Sequence, residues 1–278
     1  MGLRQGYAVC SGLRYLQDAR PQLPSTCFTS HCRSPREQRV GRWAWRSRLR
    51  SLWLWISFLD HADSGRFQQM NRLAHLLKLI SAPPVHGYEH PEVVENIFRK
   101  TLAYKPVEAW PEITGAKTVL DFGGGCGIHY KRAAVTEPNV RWAIVETPAM
   151  VEKARGLATD HLRFFADIDD ACAWLGTVEV IHSDSAIQYT CDPVETVRNI
   201  CAIGAEKMLW RRILLSDKPT TYAQRSLLAE NGPGFRFTRK TMSVECSTIS
   251  EVDFLHIHHR YRLIERGRDW FSFVREHA

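Results

Sequence analysis

Val119-Leu120-Asp121-Phe122-Gly123-Gly124-Gly125-Cys126-Gly127 is the stretch on which the reading of the fold turns. An apolar run ends near a carboxylate and passes straight into glycines spaced G-x-G-x-G, and Ile128 then opens a helical pattern. Glycine belongs where a chain must turn sharply and present bare backbone to a neighbour. Strand, glycine turn and helix in immediate succession form the opening unit of a ligand-binding α/β sheet.

Outward from that turn the same rhythm repeats. Strands are predicted at Thr118–Phe122, Trp142–Val145, Arg163–Phe165, Glu179–His182 and Lys207–Leu214, and helices at 128–136, 148–158, 168–175 and 192–203. Thr147-Pro148 and Asp192-Pro193 each pair a capping side chain with proline in the first helical turn. A helix near 250–258 and strands at Tyr261–Glu265 and Trp270–Val274 close the pattern. The fold class expected is therefore α/β, a Rossmann-like doubly wound, mostly parallel sheet with a helical N-terminal extension.

The ligand can be narrowed by chemistry. A dinucleotide fingerprint G-x-G-x-x-G would need glycine at Ile128, and Asp121 would repel a pyrophosphate. A cationic, phosphate-free nucleoside suits a strand-end carboxylate better. Glu146 ends the next strand, 19 residues beyond Gly127, at the spacing where an acid accepts both ribose hydroxyls. The competing reading makes the glycines a tight turn and Glu146 a solvated strand end.

Asp121-Phe122-Gly123-Gly124-Gly125, with His129-Tyr130 following, resembles motif I of the class I, Rossmann-like S-adenosylmethionine-dependent methyltransferases. Val145-Glu146-Thr147-Pro148-Ala149-Met150 and the stretch from Ser185 to Pro193 narrow the resemblance to a family of bacterial methyltransferases known mainly from sequence. It covers about residues 85–225, including Gly87-Tyr88 and Gln224. It implies S-adenosyl-L-methionine as cofactor, with Asp121, Gly123, Gly124, Gly125 and Gly127 along its methionine and ribose portion and Glu146 on the ribose. It also implies an adenine contact for Asp167, a residue that equally suits the cap of the helix beginning at Ile168.

Beyond Gln224 the resemblance fades, leaving the acceptor side open. His129 is the first candidate for a proton acceptor, and Tyr189 a second catalytic candidate. Tyr130, Gln188 and Arg212 are candidate substrate contacts. Each has a plain alternative: a helix start for His129 and Tyr130, a loop anchor for Tyr189, an ion pair for Arg212. His256, His258 and His259 have no carboxylate or cysteine at ligand spacing, so no metal is expected.

Methyl transfer from a sulfonium is an in-line displacement that depends on positioning and needs a base only for a protonated acceptor. The expected function is thus an S-adenosylmethionine-dependent methyltransferase acting on a small-molecule or glycan-type acceptor. The alternatives are a non-catalytic interaction protein of the same fold and, less favoured, a nicotinamide-dependent oxidoreductase.

Charge separates the N-terminus from the rest. Residues 1–50 hold ten Arg, no Lys and only Asp18 and Glu37, which more than accounts for the net charge of +7 over 278 residues. The remainder carries no basic surplus, so no nucleic-acid partner is expected. The predicted organisation is a basic, largely disordered segment 1–66, a helical prelude 67–115 and a methyltransferase domain 116–278. Within the first segment, Trp45, Leu49, Leu52, Trp53, Ile56 and Leu59 fall near one helical face over 43–60. That stripe fits peripheral contact with a membrane, docking on the domain, or part of a removable leader. A start at Met70 is a further alternative. Eight scattered cysteines with no C-x-x-C pair argue for a reduced, cytoplasmic protein.

Overall fold

The computed structural model describes residues 84–106, 108–228 and 240–277. The predicted amphipathic helix at 43–60, and with it the membrane contact, lies outside these residues.

Strand β2 (Thr118–Phe122) is buried along its whole length, as its unbroken apolar run requires of a central parallel strand. It is followed by α2 (Ile128–Thr136), β3 (Arg141–Val145), α3 (Pro148–Ala154), β4 (Leu162–Phe165), α4 (Ile168–Leu175), β5 (Val180–Asp184), α5 (Pro193–Ala202) and β6 (Lys207–Arg211). The caps expected from sequence are made: Thr147 Oγ1 accepts from Met150 N, and an Asp192 carboxylate oxygen accepts from Glu195 N. The far end is α6 (Glu251–Ile257), β11 (Tyr261–Arg266) and β12 (Phe271–Arg275).

Seven strands form one sheet in the order β11-β12-β6-β5-β2-β3-β4. The five from β6 to β4 run parallel, and β12 lies antiparallel between β6 and β11. The fold is thus a Rossmann-like, mostly parallel sheet with flanking helices. The chain winds outward from β2 through β3 to β4, then returns to the other side of β2 as β5. This reversal opens a crevice beyond the carboxyl ends of β2 and β5, where open α/β sheets bind ligands. One sheet face packs Leu120, Phe122, Ile181, Met208 and Trp210 into the larger core; the other packs Val119, Trp142, Ile144, Val180 and Leu209 into the smaller.

The structure departs from expectation at two places. The strand predicted over Lys207–Leu214 breaks at Arg212, whose backbone turns left-handed (φ 48°), and the chain resumes as β7 (Leu215–Ser216), paired with β10 (Ile249–Ser250). A second, three-stranded sheet was not anticipated: β1 (Pro84–His86) and β8 (Thr221–Leu227) flank β9 (Thr241–Ser247). β1 pairs with β9, and Asn96 of α1 (Pro91–Ala103) donates to Leu228 O at 2.7 Å. The described part of the predicted prelude is therefore built into the same folded unit as the small sheet. Among the described residues, no helix is long and apolar enough to cross a membrane.

Candidate functional site

The carboxyl ends of β2, β3 and β5 and the small sheet together enclose a cavity of about 810 Å³. Gly123, Gly124, Gly125, Glu146 and Ser185 line it from the large sheet; His86, Gln224 and Val244 line it from the small one. Tyr88 and Tyr189 join the two halves: their rings lie 5.1 Å apart, and the Tyr189 hydroxyl donates to Gln224 Oε1 at 3.2 Å.

Glu146 is the acid best placed to receive a ligand. It sits just past β3, and its two oxygens accept from Gly125 N (3.0 Å) and Thr147 N (2.8 Å). An ionised carboxylate has about four acceptor positions, so the two backbone bonds leave capacity on a group that lines the cavity. Burial raises its pKa to about 7; the two N–H donors oppose that rise, and the charge of Asp121 adds to it.

The glycine turn has a second explanation besides a ligand. Gly123 is left-handed (φ 73°), and a Cβ there would stand 2.1 Å from the Ala186 Cβ. A Cβ at Gly124 would stand 2.3 Å from Asp121 Oδ2. Both glycines are required by the protein's own packing, and both also line the cavity.

Asp121 does not face the cavity. Its carboxylate is fully buried beneath the glycine turn, accepting from His182 Nδ1 (2.8 Å), Trp142 Nε1 (3.1 Å) and His129 Nδ1 (3.3 Å). The expectation of a direct contact with a cationic nucleoside is corrected here, because the side chain points to the face of the sheet shared by Trp142 and His182. Burial works against its charge, yet the two imidazoles hold it well below the ordinary carboxylate range.

His129 lies between two carboxylates, with Nδ1 on Asp121 and Nε2 3.4 Å from Asp184 Oδ2. Burial opposes its protonation, but the two acids prevail and raise its pKa to about 9. The residue expected to accept a proton is an imidazolium with both nitrogens engaged, so it lacks the lone pair a base needs. His182, its neighbour at 4.6 Å, is pulled the other way by burial and stays neutral. Burial raises and His129 and Arg212 lower the Asp184 pKa, with the net effect downward; Arg212 Nε bonds it at 2.6 Å.

The cavity thus gathers Gly123, Gly124, Gly125, His129, Glu146, Tyr189 and Arg212 from the sequence candidates. Five others, the buried Asp121 among them, lie elsewhere. Gly127 packs behind the turn, where a Cβ would meet Ile144 and Leu162 at 3.4 Å. Tyr130 packs near Trp142 in the smaller core, and Asp167 caps α4 by accepting from Asp169 N at 2.7 Å. Gln188 is buried beneath the cavity, its amide donating to Ser185 Oγ and Arg212 O. These are the two non-glycine residues with left-handed backbone among those described. Gln188 therefore secures a strained turn, where a substrate contact was expected.

Sequence reading missed His182 and Asp184 as part of the site. Their signal was available: His182 stands in register with Asp121 in the adjacent parallel strand, so both side chains emerge on the same face.

No protein-family profile and no curated protein sequence matches the chain. Solved structures of methyltransferases do resemble it. The mitomycin 7-O-methyltransferase MmcR aligns at 16% identity over 66% of this chain and 54% of its own, with a TM-score of 0.38. The sugar N-methyltransferase KedS8 from Streptoalloteichus aligns at 16% identity over 59% and 81%, with a TM-score of 0.40. A Burkholderia thailandensis 1,6-didemethyltoxoflavin-N1-methyltransferase, solved with S-adenosylhomocysteine, aligns at 12% over 58% and 71%, with a TM-score of 0.37. The chain thus spans about half the length of MmcR. Identities this low speak of fold alone, and the fold assignment here rests on the strand order itself.

Proposed function

We propose that the chain is an S-adenosylmethionine-dependent methyltransferase acting on a small-molecule or glycan-type acceptor. The observation that carries this reading is Glu146: a buried carboxylate with spare acceptor capacity, at the end of β3, on a cavity also lined by bare backbone of the glycine turn. This donor and acceptor set fits a ribose diol, and two neighbouring hydroxyls suit the two oxygens of one carboxylate. A cavity of about 810 Å³ lies within the usual range for small-molecule sites.

The bound cofactor would supply an electrophilic methyl group on a sulfonium. The chain's residues provide the surroundings. Glu146 orients the ribose, Gly123 to Gly125 admit close approach of the backbone, and the small sheet with Tyr88, Tyr189 and Gln224 covers the crevice and excludes water. His129, as an imidazolium tied to Asp121 and Asp184, fixes the floor of the site. The absence of a nucleic-acid partner is part of the proposal; the reduced, cytoplasmic setting expected from the scattered cysteines is opposed by Cys191, which is disulfide-bonded.

Isothermal calorimetry of the full chain tests the reading. S-adenosylmethionine and S-adenosylhomocysteine should bind with one site each, and NAD should not. NAD binding without S-adenosylhomocysteine binding would overturn the proposal in favour of the oxidoreductase alternative.

A further inference from the structure

On the sheet face that carries Asp121, a second cavity of about 320 Å³ opens beside the first. Two indoles form part of its wall, each covered by a guanidinium: Arg132 lies 5.0 Å from the Trp110 ring and Arg211 lies 4.9 Å from the Trp270 ring. His129, Arg132, Asp184 and Arg212 line both cavities, so the two meet at a boundary of charged side chains.

The charges at this boundary are mostly committed. Arg211 pairs with Glu112, Arg212 with Asp184, and the His129 imidazolium with Asp121 and Asp184. Arg132 is half-buried over Trp110 and forms no ion pair with any described carboxylate. The remaining acid, Asp269, is exposed at the rim, where water screens it. The cavity is therefore bordered by two packed indoles, each with a guanidinium on its face, and presents one uncommitted, partly desolvated cation.

We propose that the second cavity binds an organic anion and that this anion is the methyl acceptor, its charged oxygen held at the shared boundary by Arg132. The proposal rests on the methyltransferase reading above. Arg132 offsets the desolvation of the oxygen. An acceptor that arrives ionised needs no base at the boundary, where both nitrogens of His129 face carboxylates. A lone pair on the acceptor oxygen forms the new C–O bond as the S–CH3 bond breaks, and the electrons of that bond stay on sulfur. The anion and sulfonium give two uncharged centres, and no proton has to be moved.

Three isosteric probes test the site on the full chain: benzoate, benzamide and benzamidine, titrated by tryptophan fluorescence and by calorimetry. Benzoate should bind at least roughly tenfold more tightly than benzamide, with benzamidine weakest. Arg132→Gln should abolish the preference for benzoate over benzamide, and Trp270→Leu should weaken both. Trp270→Leu should bind S-adenosylhomocysteine as the parent does, and Arg132→Gln should melt at the parent's midpoint, which shows that both fold. The proposal is overturned if benzoate binds no better than benzamide in the parent chain, or if the preference survives Arg132→Gln. Those titrations need no cofactor. Failure of S-adenosylhomocysteine to bind while benzoate does would remove the transfer reaction, and with it the acceptor role, but leave the anion site.

Discussion

Glu146 gives the sharpest quantitative expectation, because its ionisation and its ligand compete over the same two oxygens. Burial raises its pKa to about 7. Only the ionised carboxylate accepts from both hydroxyls of a diol, so the binding-competent fraction is about one tenth at pH 6 and about nine tenths at pH 8. Apparent affinity scales with that fraction. S-adenosylhomocysteine should thus bind about tenfold more tightly at pH 8 than at pH 6, with the rise flattening beyond. Binding at pH 6 should release close to one proton, and at pH 8 about a tenth of one. Calorimetry in buffers of different ionisation enthalpy measures both quantities. Glu146→Gln should lose the slope and bind no better at pH 8 than the parent at pH 6. The amide leaves one of the two backbone N–H groups without its acceptor, and the ionisation cost it avoids offsets that loss. A carboxyl whose pKa rises on folding favours the native state below its unfolded pKa of about 4.5, and that contribution is lost as pH climbs towards 7. Above pH 7 the parent carries an ionisation cost on the order of 3 kcal/mol, which the amide avoids in part. Affinity that is flat from pH 6 to 8, or a slope that persists in Glu146→Gln, would refute the assignment of Glu146 to the ribose.

Gly123→Ala should lower stability by roughly 2 kcal/mol or more, since it adds left-handed strain to a 2.1 Å clash with Ala186. Adding Ala186→Gly should recover part of the loss, and a double-mutant cycle in urea without coupling would rule the clash out. Asp121→Asn should shift the His129 titration, followed by imidazole NMR, down from about 9. The sign for stability follows: the raised pKa of His129 helps the native state fully below about 6.5 and that help fades as pH rises through 9. The parent should therefore lose stability between pH 7 and 9 more steeply than Asp121→Asn does. Asn96→Ala leaves Leu228 O without its donor and should cost roughly 1–3 kcal/mol, with amide exchange quickening first in β8.

The large sheet was readable because its order is local in sequence. Thr118–Phe122 declares itself by a solid apolar run, and Thr147, Asp167 and Asp192 each bond to amides two or three residues on. The small sheet was not readable for the opposite reason. β1 pairs with β9 across some 157 positions, and β8 is half exposed, so neither strand has a marked apolar alternation. The interruption at Arg212 was hidden too, because its left-handed turn depends on Gln188 reaching its carbonyl from another segment. Glu146 was legible from spacing alone, since parallel neighbours in register fix where their ends fall. The burial of Asp121 was not, because a residue at a strand end can serve either the crevice or the face below it.

The two histidines show what spacing leaves open and geometry decides. Both give Nδ1 to the same carboxylate, and that contact alone does not tell which is the charged partner of Asp121. The difference lies at the other nitrogen. His129 Nε2 reaches Asp184, so its cation faces two carboxylates, whereas among the described residues the only carboxylate bonded to His182 is Asp121. With the proton on His129 and His182 neutral, every charge of the set faces an opposite one: His129 lies between Asp121 and Asp184, and Arg212 pairs with Asp184. Moving the charge to His182 would leave Asp184 with the largely exposed Arg212 alone and bring a bare imidazole against its oxygens. Helix position made His129 a credible base by sequence. Its second carboxylate, delivered from β5, makes it a fixed cation, and the anionic acceptor proposed above asks no base of it.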